Sequence, residues 1–142
     1  MGLSKLDKII VTENKVIKVD GGDVMHGMKS IDPGFKGFGE LYFSWVQNNY
    51  IKAWKKHKVM TLNLVVPFGK VEFLFYDEGF NNFKKIIISA ENYKRITVPP
   101  DIWFGFKGQY EEFSLVVNCA DIVHDPSEVD VKSILDIPFP GD

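Results

Sequence analysis

The chain has 142 residues, which is enough for one ordinary domain with a buried core. Apolar residues make up 45% of the chain and charged residues 25%, a balance that argues against a disordered or fibrous protein. The 17 lysine and arginine residues nearly match the 19 aspartate and glutamate residues, so the basic excess of a general nucleic-acid binder is missing.

Other general features predict a cytoplasmic protein that contacts neither membrane nor nucleic acid. The apolar runs are short and interrupted by polar residues, so no segment is predicted to span a membrane. Residues 1–8 carry charges where a signal peptide needs an apolar core. Cys119 is the single cysteine, which excludes a disulfide framework or a cysteine-rich zinc site. No repeat or linker interrupts the chain, and we predict one domain over residues 1–142.

The choice of apolar residues predicts an all-β domain. The chain contains 15 Val, 13 Ile and 12 Phe but only 3 Ala. Val, Ile and the aromatic residues suit the pleated surface of a sheet, whereas Ala is the best helix former. The 12 Gly and 7 Pro residues supply turns between short strands.

Alternation of apolar and polar residues predicts a series of short strands. Every second residue is apolar within 60–66 and 71–75, and the segment 113–119 alternates in the same way. Many short strands separated by turn residues are typical of a sandwich or a barrel. In chain order, the predicted strands cover 50–59, 60–66, 71–76, 86–88, 95–98 and 113–119.

One short helix is predicted near the C-terminus. Asp125 can act as its N-cap, Pro126 occupies the first helical position, and Glu128 completes a capping box. The predicted helix then covers 128–135 and ends before Pro138.

The segment 50–59 is unusual because it combines apolar residues with four lysines and one histidine, which lie on both faces of the predicted strand. One face carries Lys55 and His57 beside Ile51, Ala53 and Val59, and the other carries Tyr50, Lys52, Trp54, Lys56 and Lys58. If the face of Lys55 points inward, a lysine and a histidine enter the core side together. Buried lysine is rare without a partner or a task, and this pair suits a base or a cation that faces an anion. The alternative is an edge strand protected by lysines.

Several motifs, in the same order along the chain, resemble the cupin sugar-nucleotide epimerases, of which the dTDP-4-dehydrorhamnose 3,5-epimerases are the best known. The resemblance covers roughly residues 20–140. Its motifs lie at 38–44, 51–58, 69–71, 76–77, 92–93, 98–106, 118–121, 124–128 and 137–139.

The resemblance implies a cupin-type double-stranded β-helix (jelly roll) with one short C-terminal helix, usually assembled as a homodimer. It also implies an epimerase or isomerase that needs no metal and no cofactor. Such an enzyme abstracts a proton next to the ketone of a nucleotide-linked 4-keto-6-deoxy sugar, in the biosynthesis of deoxysugars or surface polysaccharides. The alternatives are a sugar-nucleotide 3,4-ketoisomerase and a non-catalytic cupin that binds a sugar nucleotide.

The chain departs from these families at their catalytic positions. Lys55 stands at the histidine base of the epimerases, and Asn118 lies nearest their tyrosine acid. The ketoisomerases carry Arg-Gly-x-His-Ala-His-Lys, of which this chain keeps the second histidine as His57 and the final Lys58. In metal cupins, the positions of Lys55 and Leu62 carry a histidine and a glutamate ligand. One remaining imidazole cannot hold a divalent ion, so we predict a site without metal.

The resemblance and the strand pattern together predict the site residues. His57 is the predicted base or acid, since histidine ordinarily titrates near neutral pH, and Lys55 is the predicted enolate stabiliser or base. Lys52 stands where the family's arginine holds phosphate. Trp103 and Phe106 either contact the nucleotide or belong to the core, and candidate proton donors are Tyr42, Tyr50 and Tyr110. The predicted substrate-binding residues are Tyr50, Lys52, Trp54, Trp103, Phe106, Asn118 and His124.

Overall fold

Strands make up about half of the computed structural model, which describes residues 4–140. Two short 3-10 turns, Lys5–Lys8 and Pro126–Glu128, are the helical elements of this described part. In chain order the strands are β1 (Ile10–Glu13), β2 (Val16–Ile17), β3 (Val24–Met25), β4 (Glu40–Val46), β5 (Ile51–His57), β6 (Leu62–Phe68), β7 (Lys70–Asp77), β8 (Asn82–Ser89), β9 (Lys94–Val98), β10 (Trp103–Gly108), β11 (Ser114–Ala120) and β12 (Val129–Val131).

The strands form two five-stranded antiparallel sheets and a small hairpin. The first sheet has the order β1-β9-β6-β11-β4, and the second has the order β12-β5-β10-β7-β8. Strands β2 and β3 pair with each other. Neighbours in each sheet are mostly distant in sequence, as in a jelly roll, so the predicted all-β cupin architecture is confirmed.

The core lies between the two sheets, where the alternating strands direct their apolar residues. Met60, Leu62, Leu64 and Val66 are all buried there, as the alternation within 60–66 predicted. They meet Val71, Phe73 and Phe75 from the second sheet. Burying one such side chain contributes roughly 1.5–3 kcal/mol, so this cluster supplies the main driving force for packing the sheets.

Gly69 joins β6 to β7 in a turn that other residues would strain. Its φ is +91°, a backbone conformation that residues with a Cβ rarely adopt. A Cβ there would also lie 2.3 Å from the Ser114 hydroxyl oxygen. The hydroxyl donates to the carbonyl of Lys70 at 3.0 Å, so this turn ties β11 to the start of β7.

The short C-terminal helix is present as the 3-10 turn Pro126–Glu128, but its predicted extent over 128–135 is wrong. Asp125 caps the turn, and its side chain accepts from the Ser127 backbone N–H at 3.0 Å. Glu128 does not complete a capping box, because its carboxylate bonds to other residues. The residues that follow form β12, which pairs with β5. Backbone pairing at this sheet edge therefore replaces the expected helix.

Among the described residues, no helix is both long enough and apolar enough to cross a membrane.

Candidate active site

A cavity of about 650 Å³ lies between the two sheets and has the size of a small-molecule site. One wall consists of residues from β4, β6 and β11 of the first sheet, and the other of residues from β5, β10 and β12 of the second. Apolar side chains such as Leu64, Phe104 and Val116 cover part of both walls. The polar side chains that line the cavity are Glu40, Tyr42, Ser44, Tyr50, Lys52, Lys55, His57, Asn118 and His124.

The cavity brings together most of the residues that the sequence predicted for the site. Lys55 and His57 line the wall formed by the second sheet. The predicted substrate-binding residues at the cavity wall are Tyr50, Lys52, Trp54, Phe106, Asn118 and His124. The structure thus gathers them around one space, while their roles in binding and catalysis stay predictions.

Lys52 and Lys55 reach the same wall because β5 contains a bulge. Residues three apart in a regular strand point to opposite faces, and the sequence pattern accordingly placed Lys52 on the other face from Lys55. In the structure, however, Phe104 of β10 lies opposite Lys55, and Phe106 lies opposite Lys52. Lys52 and Lys55 are three residues apart on β5, but their partners on β10 are only two residues apart, so β5 contains one extra residue. Paired residues on neighbouring strands point to the same face, and Phe104 and Phe106 share one face of β10. The predicted assignment of Lys52 to the outer face is wrong, because the extra residue turns it toward the cavity.

Gly105 provides the space that this bulge needs. It lies between Phe104 and Phe106 on β10, across from the extra residue of β5. A Cβ on Gly105 would lie 2.5 Å from the Cβ of Ala53 and 3.0 Å from the carbonyl oxygen of Lys52. The first distance is shorter than real Cβ contacts and the second is tighter than most of them, so a side chain at position 105 would force the two strands apart.

Trp54 supports the cavity wall from behind. Its side chain is fully buried in a cluster with Leu74, Trp103 and Ile137, which is separate from the core between the sheets. The indole N–H donates to the backbone carbonyl of Ile137 at 2.7 Å. The backbone of Trp54 also exchanges hydrogen bonds with Lys132, at 2.9 and 3.1 Å. Trp54 therefore ties the bulge to the C-terminal segment. It also borders the cavity, and its predicted contact with substrate stays a prediction.

Two further aromatic residues lie outside the cavity. Trp103 packs in the same cluster as Trp54, and the ammonium groups of Lys56 and Lys132 lie 5.1 and 5.0 Å from the centre of its ring. The prediction that Trp103 contacts substrate is wrong, because its side chain points away from the cavity. It packs instead in the second apolar cluster, on the outer side of the sheet. Tyr110, a candidate proton donor, packs edge-on against Phe68 with 5.6 Å between ring centres. It does not line the cavity.

His57 is buried at the cavity wall with one ring nitrogen occupied. The residue is 5% exposed, and its ring stacks on Phe104 with 5.9 Å between ring centres. Its Nδ1 lies 2.5 Å from a carboxylate oxygen of Glu128. An ionised carboxylate only accepts hydrogen bonds, so Nδ1 carries a hydrogen, and in the neutral form of the ring Nε2 keeps its lone pair. No other described residue bonds to Nε2, which leaves it free for a ligand.

Glu128 is held in its ionised form by three hydrogen bonds. Besides the bond to His57, its second oxygen accepts from the backbone N–H groups of Val59 and Met60, each at 2.9 Å. Burial alone would raise the pKa of the Glu128 carboxyl. The hydrogen bonds from His57, Met60 and Val59, together with the charge that His57 carries when protonated, outweigh burial and hold the pKa below its ordinary value of 4.5.

Tyr42 presents a hydroxyl from the opposite wall. This hydroxyl accepts a hydrogen bond from the Asn118 side chain at 3.0 Å and lies 3.6 Å from the sulfur of Met60. Burial raises the pKa of Tyr42 above its ordinary value of 10.0. The charges of Glu40 and Glu128 add to this rise, against the hydrogen bond from Asn118. Tyr42 consequently keeps its proton at neutral pH and can donate it.

Asn118 holds the Tyr42 hydroxyl in place, but it cannot act as the acid that the family's tyrosine provides. Its oxygen accepts from the backbone N–H of Asn63 at 3.0 Å, and this bond orients the amide nitrogen toward Tyr42. An amide does not titrate, so Asn118 can position a proton donor but cannot be one.

The two lysines of the cavity differ in their surroundings. The ammonium group of Lys52 donates to the backbone carbonyl of Trp45 at 2.6 Å, which holds it at the end of β4 remote from Glu40. Lys55 makes no hydrogen bond or ion pair with another described residue, and its ammonium is available to an anion. No group of three or more His, Cys, Asp or Glu side chains within residues 4–140 is arranged to hold a metal ion.

Sequence reasoning missed the role of Glu128 and undervalued Tyr42. Glu128 was explained by a capping box, because the local pattern around Asp125 accounts for a glutamate at that position. Its contact with His57 spans 71 residues of sequence, which local spacing cannot show. Tyr42 alternates with Glu40 and Ser44 along β4, and this polar face was the available signal for a strand that borders a cavity.

Comparisons with known proteins agree with this arrangement. No family model matches the chain. A dTDP-sugar isomerase from Desulfovibrio desulfuricans is 30% identical in sequence, with a TM-score of 0.89 over 99% of this chain and 94% of that one. A dTDP-4-dehydrorhamnose 3,5-epimerase from Sulfolobus tokodaii is 21% identical and shares the fold, with a TM-score of 0.79 over 93% of this chain and 81% of that one.

A curated relative is also similar over part of the chain. It is a probable low-salt glycan biosynthesis epimerase of Haloferax volcanii, 26% identical over 99 residues. The match covers 66% of this chain and 64% of the relative, which is less than two thirds of that protein.

The two-sheet jelly roll, with two histidines, two tyrosines and two lysines among the described residues around its inner cavity, defines a cupin with a small-molecule site. Full-length similarity at 30% identity narrows this class further. The chain belongs to the family of dTDP-sugar isomerases and epimerases, as the resemblance in its sequence predicted.

Proposed function

We propose that the protein is an isomerase that epimerises a dTDP-linked 4-keto-6-deoxy sugar by removing and returning a proton next to the ketone. The observation that carries this proposal is the pairing of His57 with Glu128 on one wall of the cavity and Tyr42 on the other. A carbon next to a ketone loses a proton readily, because the resulting charge spreads onto the ketone oxygen as an enolate. The reaction then needs a base, a cation for the enolate and an acid, and the cavity contains all three.

His57 acts as the base in this proposal. The Glu128 carboxylate keeps the proton on Nδ1, so Nε2 accepts the proton from the sugar carbon. The same carboxylate stabilises the imidazolium that forms, and a positioned base of this kind contributes about 10²- to 10⁴-fold to a rate. Lys55 supplies the positive charge for the enolate oxygen, since its ammonium has no partner among the described residues.

Tyr42 returns a proton from the other side of the sugar. It belongs to the first sheet, whereas His57 belongs to the second, and a ligand between the two walls presents opposite faces to them. Removal of the proton at one face and its return at the other inverts the carbon. This placement favours epimerisation over ketone migration, in which the proton moves between neighbouring positions of the sugar.

The rest of the cavity suits the nucleotide. Lys52 provides an ammonium group for the diphosphate, although an ammonium lacks the bidentate geometry of arginine. Tyr50 and Phe106 line the same end of the cavity as Lys52 and offer rings to the nucleoside. In line with the glycan biosynthesis role of the Haloferax relative, we assign the reaction to cytoplasmic synthesis of deoxysugars or surface polysaccharides.

Deuterium exchange tests the proposed reaction. The protein is incubated with dTDP-4-keto-6-deoxyglucose in deuterated water, and deuterium at carbon 3 or 5 is followed by NMR. We expect exchange in the native protein and none in His57→Ala, which should still bind dTDP. The matched control is His26→Ala, because His26 does not line the cavity and should leave exchange unchanged.

The same experiment distinguishes the alternatives. A product whose ketone has moved to carbon 3 would identify a 3,4-ketoisomerase. Saturable binding without exchange would identify a non-catalytic cupin, a possibility that Lys55 and Asn118 at the family's base and acid positions keep open. Exchange at the native rate in His57→Ala would remove His57 from the mechanism.

We also propose that two copies of the chain associate through the outer face of the first sheet. Along β4, the outward residues Leu41, Phe43 and Trp45 are 48%, 60% and 52% exposed. Leu115 and Val117 of β11 extend this apolar surface across the neighbouring strand. A contiguous apolar face on a small protein is a typical interaction site, and a flat sheet face can pair with its own copy around a two-fold axis.

Sedimentation tests this association. We expect a dimer for the native chain and a monomer for Phe43→Glu, which places a charge in the middle of the face. Phe80→Glu is the matched control, because Phe80 is 53% exposed but lies in the turn after β7. A monomeric native chain, or a dimeric Phe43→Glu variant, would contradict the proposed interface.

A further inference from the structure

The cavity contains one carboxylate that the proposed reaction does not use. Among the described residues that line the cavity, Glu40 is the one acidic side chain. It lies on the inward face of β4, two residues before Tyr42 and on the same side of the strand. Both residues line the cavity, and the negative charge of Glu40 contributes to the raised pKa of Tyr42.

One oxygen of Glu40 has a structural task and the other has none. The first accepts a hydrogen bond from the backbone N–H of His124 at 2.9 Å, which joins β4 to the loop after β11. No described residue donates to the second oxygen. A carboxylate oxygen without a protein donor at a cavity wall is a strong acceptor for a ligand.

Glu40 lies far from the ammonium group that suits the diphosphate. The Lys52 ammonium bonds to the carbonyl of Trp45, five residues further along β4. At a rise of about 3.3 Å per residue, roughly 17 Å of strand separates Glu40 from that point. The carboxylate is thus at the end of the cavity where it does not repel phosphate, next to the groups that would act on the sugar.

The ligand group that fits this oxygen is a hydroxyl. A negative charge beside the ketone oxygen would oppose formation of the enolate, so Glu40 does not face the reacting carbonyl. A sugar hydroxyl, in contrast, donates well to a carboxylate. We infer that Glu40 is a specificity-determining residue that accepts a hydrogen bond from a ring hydroxyl of the sugar and selects against the corresponding deoxy sugar. This inference rests on the proposed function, since it assumes a sugar nucleotide in the cavity.

Calorimetric binding of sugar nucleotides that lack a ketone tests the inference without catalysis. The probes are dTDP-6-deoxyglucose and its 2-deoxy and 3-deoxy analogues. We expect the native protein to bind the parent compound about 10- to 100-fold more tightly than one of the two analogues, as for a hydrogen bond to a charged group. In Glu40→Gln this preference should fall to within about fivefold, while the affinity for dTDP stays unchanged.

Glu40→Gln is informative because an amide oxygen can still accept from the His124 N–H. Glu40→Ala is the second variant, and Glu112→Gln, in the exposed turn before β11, is the matched control. Equal binding of all three probes by the native protein would overturn the inference and leave the proposed function standing. An unchanged preference in both Glu40 variants, or an equal loss for all probes, would also overturn it. Failure of the native protein to bind any dTDP compound would overturn the proposed function and the inference together.

Discussion

Replacing Glu128 by glutamine tests how the structure prepares His57 for proton transfer. The change keeps the size of the side chain, and its remaining oxygen can still accept from the backbone N–H groups of Val59 and Met60. It removes the negative charge next to Nδ1 and can place an amide N–H₂ group there. Since that group donates, Nδ1 must accept, and the ring hydrogen moves to Nε2. The nitrogen at the cavity then no longer has a lone pair with which to act as a base.

The size of the effect follows from the contacts that are lost. Hydrogen bonds to charged groups contribute roughly 1.5–3 kcal/mol and neutral ones roughly 0.5–1.5 kcal/mol, so the free energy of unfolding should fall by about 1–2 kcal/mol. The catalytic effect should be larger, about 10²- to 10⁴-fold in kcat, because the wrong tautomer cannot take the proton. KM should change little, since Glu128 does not line the cavity.

Two measurements check this reasoning on Glu128→Gln. Deuterium exchange at the carbon next to the ketone gives the rate of proton removal, and ¹⁵N NMR of the imidazole reports which nitrogen carries the hydrogen. Glu91→Gln is the control, because Glu91 is exposed in the turn between β8 and β9. A variant with the native exchange rate, or a slow variant whose hydrogen remains on Nδ1, would refute the tautomer argument.

The remaining predictions concern Tyr42 as the proton donor, the stability of the fold at low pH and the bulge of β5. In Tyr42→Phe, His57 should still exchange the substrate proton for deuterium, but the carbon should no longer be inverted. NMR should therefore show deuterium in the substrate without a new epimer. An unchanged yield of epimer would exclude Tyr42 as the proton donor. Because the pKa of Glu128 is lowered in the folded protein, its contribution to stability is complete above its ordinary value of 4.5 and is lost as the pH falls through the lower folded value. Urea unfolding should therefore show a gap between the native protein and Glu128→Gln that shrinks from about pH 7 to about pH 3, whereas a constant gap would contradict the assigned pKa. Gly105→Ala should lower the free energy of unfolding by about 1–3 kcal/mol, because its Cβ would overlap Ala53, while Gly27→Ala, with open space around it, should be neutral; equal stabilities would show that the bulge tolerates a side chain.

The all-β architecture follows from local properties of the chain. Residues at alternate positions of a strand point to opposite faces whatever the rest of the protein does, and so the inward positions of β6 and β7 were predictable from their alternation. The histidine of the site was predictable for a similar reason. His57 and Lys55 are two residues apart and remain on one face of β5, because the bulge comes before them.

Residues that depend on contacts across the sheets were not predictable from local pattern. The extra residue opposite Gly105 moves Lys52 to the cavity face, and this shift is visible only in the pairing of β5 with β10. The outward position of Trp103 depends likewise on the C-terminal segment, which covers it with Ile137. For such an aromatic side chain, composition and spacing alone favour a core or pocket-wall role over a ligand contact but do not decide between them.

The sequence by itself thus determined the strand content, the apolar faces and the placement of His57 and Lys55 on one face of β5, because these depend on neighbours a few residues away. The tertiary structure alone decided that Glu128 orients His57 and that Tyr42 faces it from the other sheet. The hydrogen bond between His57 and Glu128 joins residues 71 positions apart, and the bond from Asn118 to Tyr42 joins residues 76 positions apart. Contacts over such distances depend on how the strands pair and pack, which no local pattern encodes.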